Sequence, residues 1–401
     1  MSTLQVLIMS SIVAPRIKVL ARTNLDQAYQ HSILISALRG LAAFQVVAAH
    51  LRAQLFPGLK SLPDPSIWYQ ALAFFTGFAH QAVVVFFLLS GWLVGGSLLN
   101  KLDTPQAMIS YAIDRISRLW IVLVPAFGLT LLIASLTESV DPGRVSYSIE
   151  NEYSVLSFFG NLFGLQDMAV PRFGGNFSLW SLANESWYYI LFPLCIVALI
   201  AESRLHRFAA VSVGLVAAYC LPFQLTLYFL IWLLGVGFSR IRVELSRTPR
   251  LLLIAALIAL SVYFRLTGSN DILTPESFVQ DLVFSIPFLL LLCSLQNPAD
   301  RTHPGTRLAK LIGSALSPFS FTLYVIHVPL LVMLRSMYEP LSGGRLSPAN
   351  AADFGIYFVM LATIVILAYL FHLPFEAQTY RLREMIKRTL FASATRRGAV
   401  V

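Results

Sequence analysis

An arginine and a histidine stand 11 positions apart in an otherwise apolar stretch, Leu38-Arg39-Gly40-Leu41-Ala42-Ala43-Phe44-Gln45-Val46-Val47-Ala48-Ala49-His50. On a helix that spacing is about three turns, ~16 Å of rise, and it brings both side chains to one face. An imidazole so placed can serve as general base toward a hydroxyl. A guanidinium on the same face can hold an anion or steady a developing negative charge. Glu185, in Trp180-Ser181-Leu182-Ala183-Asn184-Glu185, lies at a depth in its own apolar run that His50 could share. A carboxylate beside an imidazole can fix its tautomer and raise its basicity. Arg115-Ile116-Ser117-Arg118 puts two guanidiniums at i and i+3 on one helix face, a clamp suited to phosphate. His327 follows Tyr324 by one turn and stands open between a structural hydrogen bond and a substrate contact. The plainer reading of each is structural: Arg39 snorkelling, His50 at an interface, Glu185 bonded to Ser, Tyr or backbone, Arg115 and Arg118 as membrane anchors.

The elements that must position these groups follow from composition. The 401 residues are 57% hydrophobic and only 12% charged, with a mean hydropathy of +0.71. A soluble domain carries roughly 25% charge, so the pattern excludes a soluble enzyme, a disordered chain and a nucleic-acid binder. We expect an all-α polytopic membrane protein with ten spans, near 33–55, 72–99, 116–136, 177–200, 208–221, 223–239, 251–267, 279–295, 313–334 and 354–375. The fifth and sixth are short and meet at Leu221-Pro222-Phe223. With both termini in the cytoplasm, Lys and Arg are about threefold more abundant in the inner segments than the outer ones. Residues 1–32 read as a cytoplasmic or interfacial tail, because the apolar run from Leu4 to Ala14 is too short to span. Residues 377–401 read as a basic cytoplasmic tail, and 137–176 as a partly packed outer cap. No fused soluble domain is expected. Cys195, Cys220 and Cys293 read as buried thiols, and His31, His206 and His303 fall in expected inner loops. No spacing suits a metal ion.

Two classes fit a phosphate clamp combined with a histidine–carboxylate pair. One is a group-transfer enzyme that binds a phosphorylated donor and deprotonates a hydroxyl at His50. The other is a proton-coupled secondary transporter of an anionic or sugar-linked substrate. A passive lipid-binding or assembly subunit is a third.

At these residues the chain resembles the acyltransferase-3 family of integral-membrane acyltransferases, of the O-antigen, exopolysaccharide and Nod-factor acetylase type. The likeness runs over about 33–385. It rests on Arg39 with His50, Phe86-Phe87-Leu88-Leu89-Ser90-Gly91-Trp92-Leu93, Arg115 with Arg118, Trp180-Ser181-Leu182 followed by Glu185, and Tyr324 to Pro329. Two positions depart from the family pattern. Ala82-Val83-Val84-Val85 stands where many members have Gly-Val-Asp before the double Phe, and Glu376-Ala377 lacks the proline of a Glu-x-Pro ending. The resemblance implies an acyl-CoA donor, most often acetyl-CoA, and a hydroxyl acceptor on a cell-surface or exported glycan; the acceptor itself stays open among lipopolysaccharide, exopolysaccharide, a lipid-linked sugar, a macrolide-like metabolite and peptidoglycan. The inward N-terminus and the charge bias fit a bacterial inner membrane. On this reading His50, Glu185 and Arg39 carry the chemistry, Arg115, Arg118, Ser90 and Gly91 bind the donor, and Trp180, Ser181, Tyr324, His327 and His80 line the acceptor site or channel.

Overall fold

A computed structural model describes residues 16–139, 141, 146–267, 274–300, 302–342 and 344–398; the apolar run from Leu4 to Ala14 lies outside them. In chain order the elements are β1 (Arg16–Val19), α1 (Gln30–Leu55), α2 (Ile67–Phe75), α3 (Ala79–Ser90), α4 (Gly96–Leu99), α5 (Ala107–Leu136), α6 (Val155–Leu162), α7 (Leu179–Ile200) and α8 (Arg204–Cys220). There follow α9 (Phe223–Phe238), β2 (Ile241–Glu244), α10 (Arg247–Thr267), α11 (Pro275–Ser294), α12 (Pro304–Leu316), α13 (Ser320–Ser342), α14 (Ala351–His372) and α15 (Thr379–Gly398). A π-helical turn, Gly91–Gly95, joins α3 to α4.

Helices stand at all ten expected positions. Among the described residues eight helical stretches are long and apolar enough to cross a membrane. The two that fall short are the suspect pair. Phe223–Phe238 is apolar but shorter, while Arg204–Cys220 has 17 residues and opens on Arg204, His206 and Arg207. The chain is thus an all-α polytopic membrane protein with one two-stranded sheet.

Two compact units divide it. The first comprises Met1–Ala42, Gly77–Lys101 and Pro222–Ser317; the second Ala43–Thr76, Leu102–Leu221 and Pro318–Val401.

In the first unit β1 pairs antiparallel with β2, Arg16 opposite Glu244, and Lys18 Nζ reaches Glu244 at 2.8 Å. The strand that follows the N-terminal arm's start is therefore tied to the loop after α9. Asn100 secures the arm further: its side chain accepts from Thr23 N and donates to Thr23 O, each at 2.8 Å. His31, expected in a loop, is instead the second residue of α1 and fully buried, its Nε2 3.0 Å from the Asn24 carbonyl. Helices α3 and α9 meet backbone to backbone. A Cβ on Gly91 would overlap the Trp232 carbonyl oxygen, and one on Gly235 would overlap that of Leu88. Small residues permit this approach where association is driven by contact rather than by water.

In the second unit the described part of the 137–176 segment packs through α6 and the turn before α7. Phe158 of α6 sits 5.3 Å from Phe127 and 5.6 Å from Phe173, and Trp187 Nε1 donates to the Gly164 carbonyl at 2.9 Å. The start of α13 is capped by Glu376, whose carboxylate accepts from Thr322 N at 2.9 Å and Thr322 Oγ1 at 2.8 Å. That satisfies one amide left bare at a helix start and favours the positive end of its dipole. The C-terminal tail is helical through α15 and lies against α5, where Asp114 takes Arg383 and Lys387.

One expectation about thiols is corrected. Cys293 is buried, but Cys195 and Cys220 are exposed. An apolar neighbourhood in a membrane protein can be lipid as readily as protein.

A Gly91→Val or Gly235→Val substitution, which drives a branched side chain into a backbone carbonyl, is expected to abolish the monodisperse detergent-extracted peak in size-exclusion chromatography. Gly237→Ala, which meets nothing within 4 Å, is expected to leave that peak intact.

Candidate active site

Helices α1, α7 and α13 bring the chemistry of the second unit together. His50 Nδ1 lies 2.9 Å from His327 Nε2, with the ring planes 24° apart. His327 Nδ1 lies 2.8 Å from the Tyr324 carbonyl oxygen. A carbonyl can only accept, so His327 carries its proton on Nδ1 and, when neutral, a lone pair on Nε2. That lone pair can hydrogen-bond His50 only if His50 Nδ1 carries the proton. The neutral His50 tautomer therefore has its lone pair on Nε2, the nitrogen from which a general base would act. Phe177 packs edge-on to His50, ring centres 4.9 Å apart.

His327 itself is completely buried, and its helix is held in place by the turn before α7. Pro329 has no amide hydrogen to give the Val325 carbonyl one turn back. Asn176 supplies the missing donor, its Nδ2 2.9 Å from Val325 O. Asn176 Oδ1 in turn accepts from Ser178 N and Ser178 Oγ at 3.2 and 2.7 Å. Ser181 Oγ and Tyr324 Oη are 2.6 Å apart. Trp180, in the same first turn of α7, is half-buried.

Glu185 accepts from Tyr189 Oη one turn along α7. The Tyr189 ring lies under Arg115, whose Cζ is 5.6 Å from its centre and 5.9 Å from that of Tyr111. Arg118 Cζ stands 5.7 Å over Phe321. Both guanidiniums thus lie within cation–π range of aromatic rings, and the i, i+3 spacing keeps the two on one face of α5.

The remaining expected residues, Arg39, His80, Ser90 and Gly91, belong to the first unit. Ser90 Oγ accepts from Trp232 Nε1 at 3.1 Å, and Gly91 makes the backbone contact with α9. His80 Nε2 straddles both oxygens of Asp281, at 2.9 and 2.8 Å. Tyr228 also donates to Asp281 and lies 2.9 Å from Ser277 Oγ. The sequence reading missed Asp281, although an acid within an apolar run is the signal that singled out Glu185. It missed Asn176 and Asp114 as well. Among the described residues no cluster suits a metal ion.

The comparisons with known proteins bear on the class of chemistry. The family described as "Acyltransferase domain" matches residues 33–373. The chain belongs to that acyltransferase-3 family. It is also similar to "Acyltransferase MdmB" of Streptomyces mycarofaciens, 26% identical over 381 residues, which span 87% of this chain and 91% of the relative. No solved structure matches the chain. Family membership decides between the classes left open by the residues: this is a multi-pass membrane enzyme that transfers acyl groups, and the transporter and passive-subunit readings are set aside.

With His50 as the base, His327 would act through it, so His327→Ala is expected to lower kcat by about 10- to 100-fold with little change in donor KM. His327→Gln, whose amide can donate to the Tyr324 carbonyl and accept from His50, is expected to recover part of that loss. Steady-state kinetics with purified protein check both; a His327→Ala enzyme of wild-type kcat would remove the orienting role.

Proposed function

We propose that this enzyme moves an acyl group, acetyl by family resemblance, from acyl-CoA to a hydroxyl of a cell-surface or exported glycan or lipid-linked sugar. The observation that carries the proposal is the hydrogen-bond chain from the Tyr324 carbonyl through His327 to His50. In this scheme His50 Nε2 takes the proton from the acceptor hydroxyl as its oxygen attacks the thioester carbon. The tetrahedral intermediate then collapses, the C–S bond breaks, and the proton passes from His50 to the departing thiolate. The products are an ester and free coenzyme A.

Arg115 and Arg118, each near aromatic rings, take the donor's phosphates. Arg39, three turns before His50 on α1, positions the donor or steadies charge at the thioester oxygen. Glu185 sets the electrostatics around His50, and Trp180, Ser181, Tyr324 and His80 line the acceptor site or channel. Ser90 and Gly91 contribute to donor binding by keeping α3 and α9 close. Both termini face the cytoplasm, the source of acyl-CoA, in a bacterial inner membrane.

The test is equilibrium binding of radiolabelled acetyl-CoA to detergent-purified protein, followed by transfer assays on candidate acceptors. Wild type is expected to bind saturably. Arg115→Ala with Arg118→Ala is expected to weaken binding at least about tenfold, whereas His50→Ala keeps binding and loses transfer. Folded wild-type protein that binds no acetyl-CoA would overturn the donor assignment, and wild-type turnover in His50→Ala would overturn the base.

A further inference from the structure

We propose that the C-terminal helix completes the donor's phosphate site: Arg383 and Lys387 of α15, gathered at Asp114, join Arg115 and Arg118 of α5 as phosphate ligands. The inference rests on the acyl-CoA reading above and extends it to residues outside the motifs that led there.

Positions 383 and 387 are one helical turn apart and share a face of α15. That face meets α5 at Asp114, whose Oδ1 lies 3.1 Å from Arg383 Nε and 2.6 Å from Lys387 Nζ. Asp114 immediately precedes Arg115, and both Arg115 and Arg118 are near enough to act on Arg383 electrostatically, as is the neighbouring acid Glu384. Four cationic side chains therefore gather around one buried carboxylate. With side-chain exposures of 23% for Arg383 and 18% for Lys387, neither cation is freely solvated, and mutual repulsion in such surroundings is weakly screened. A polyanion relieves it.

Three polar atoms point to where that anion makes its contacts. Arg115 Nε and Tyr111 Oη are buried with no hydrogen-bond partner among the described residues, and Arg383 Nε meets Asp114 as an ion pair without hydrogen-bond geometry. Buried donors are normally satisfied, and phosphoryl oxygens would satisfy these. Coenzyme A carries a phosphomonoester and a diphosphate, about four negative charges at neutral pH. Two arginines at i and i+3 serve one part of such a ligand; a second pair on the facing helix serves the rest.

The experiment measures the affinity of the full-length protein for radiolabelled acetyl-CoA, with dephospho-coenzyme A and inorganic phosphate as competitors. Arg383→Gln combined with Lys387→Gln is expected to weaken acetyl-CoA about tenfold or more, and dephospho-coenzyme A is expected to compete less well than coenzyme A against wild type. Asp114→Asn breaks the ion pairs yet leaves the cations, so it is expected to bind acetyl-CoA as tightly as wild type or more tightly. Equal loss in Asp114→Asn and in the double variant would show that the contact only holds helices together, and would overturn the proposal. So would wild-type affinity in the double variant while Arg115→Ala with Arg118→Ala is weakened, a result that leaves the acyl-CoA reading standing. Absence of acetyl-CoA binding in folded wild type is the separate outcome that removes that reading itself. If the double variant is not monodisperse, Lys387→Gln alone is read in the same way.

Discussion

A side chain that is polar and wholly enclosed must have every donor and acceptor answered, and in this protein that constraint settles the protonation of the histidine expected to react. His327 is enclosed between the Tyr324 carbonyl on one ring nitrogen and His50 on the other. Because the carbonyl offers no hydrogen, only one arrangement of protons satisfies all three groups when both rings are neutral. A backbone oxygen on α13 thereby dictates which nitrogen of a histidine on α1 bears a lone pair. His50 faces a second imidazole, which when neutral brings no net charge into an apolar interior, where isolated charge is costly.

The same rule explains how α13 is held. Pro329 removes one amide from the helix, and the carbonyl it strands is answered by Asn176 from the turn before α7. Glu376 answers the amide at the helix start. Two defects in regular hydrogen bonding are thus turned into two points of attachment, one at Thr322 ahead of Tyr324 and one at Val325 between Tyr324 and His327. The helix that carries the orienting histidine is fixed by what it lacks.

Much of the architecture could be read from the chain because lipid imposes a length and a hydropathy on anything that crosses it. The eight helical stretches long and apolar enough to cross among the described residues follow from that, and so does the shortfall at 204–238, where Pro222 interrupts the apolar run. What hydropathy reports is depth along a span; the partner across the span is another matter. His50 and His327 are 277 positions apart, and His80 and Asp281 are 201 apart, so neither pairing leaves a local trace. Local spacing did expose Arg115 with Arg118, since i and i+3 on one helix is a property of the sequence itself. The polar composition of 377–401 concealed α15, whose contacts with Asp114 depend on tertiary structure, and the run from residue 16 to 19 carries too few residues to announce a strand.

The π-helical turn at Gly91–Gly95 constrains how this region can vary over evolutionary time. A wide turn of this kind accommodates one more residue than an α-helix would over the same path. Loss of a single residue ahead of Gly96 outside that turn, where nothing takes up the difference, would rotate everything beyond it by about 100°. Gly96, now pressed against Thr23, would leave its neighbour, and Asn100 would be carried off the arm it secures. Substitutions on the lipid-facing side of this helix can accumulate one at a time, but a change in length requires compensation at Thr23, where both contacts meet. This stretch should therefore drift in side chains while its residue count stays frozen.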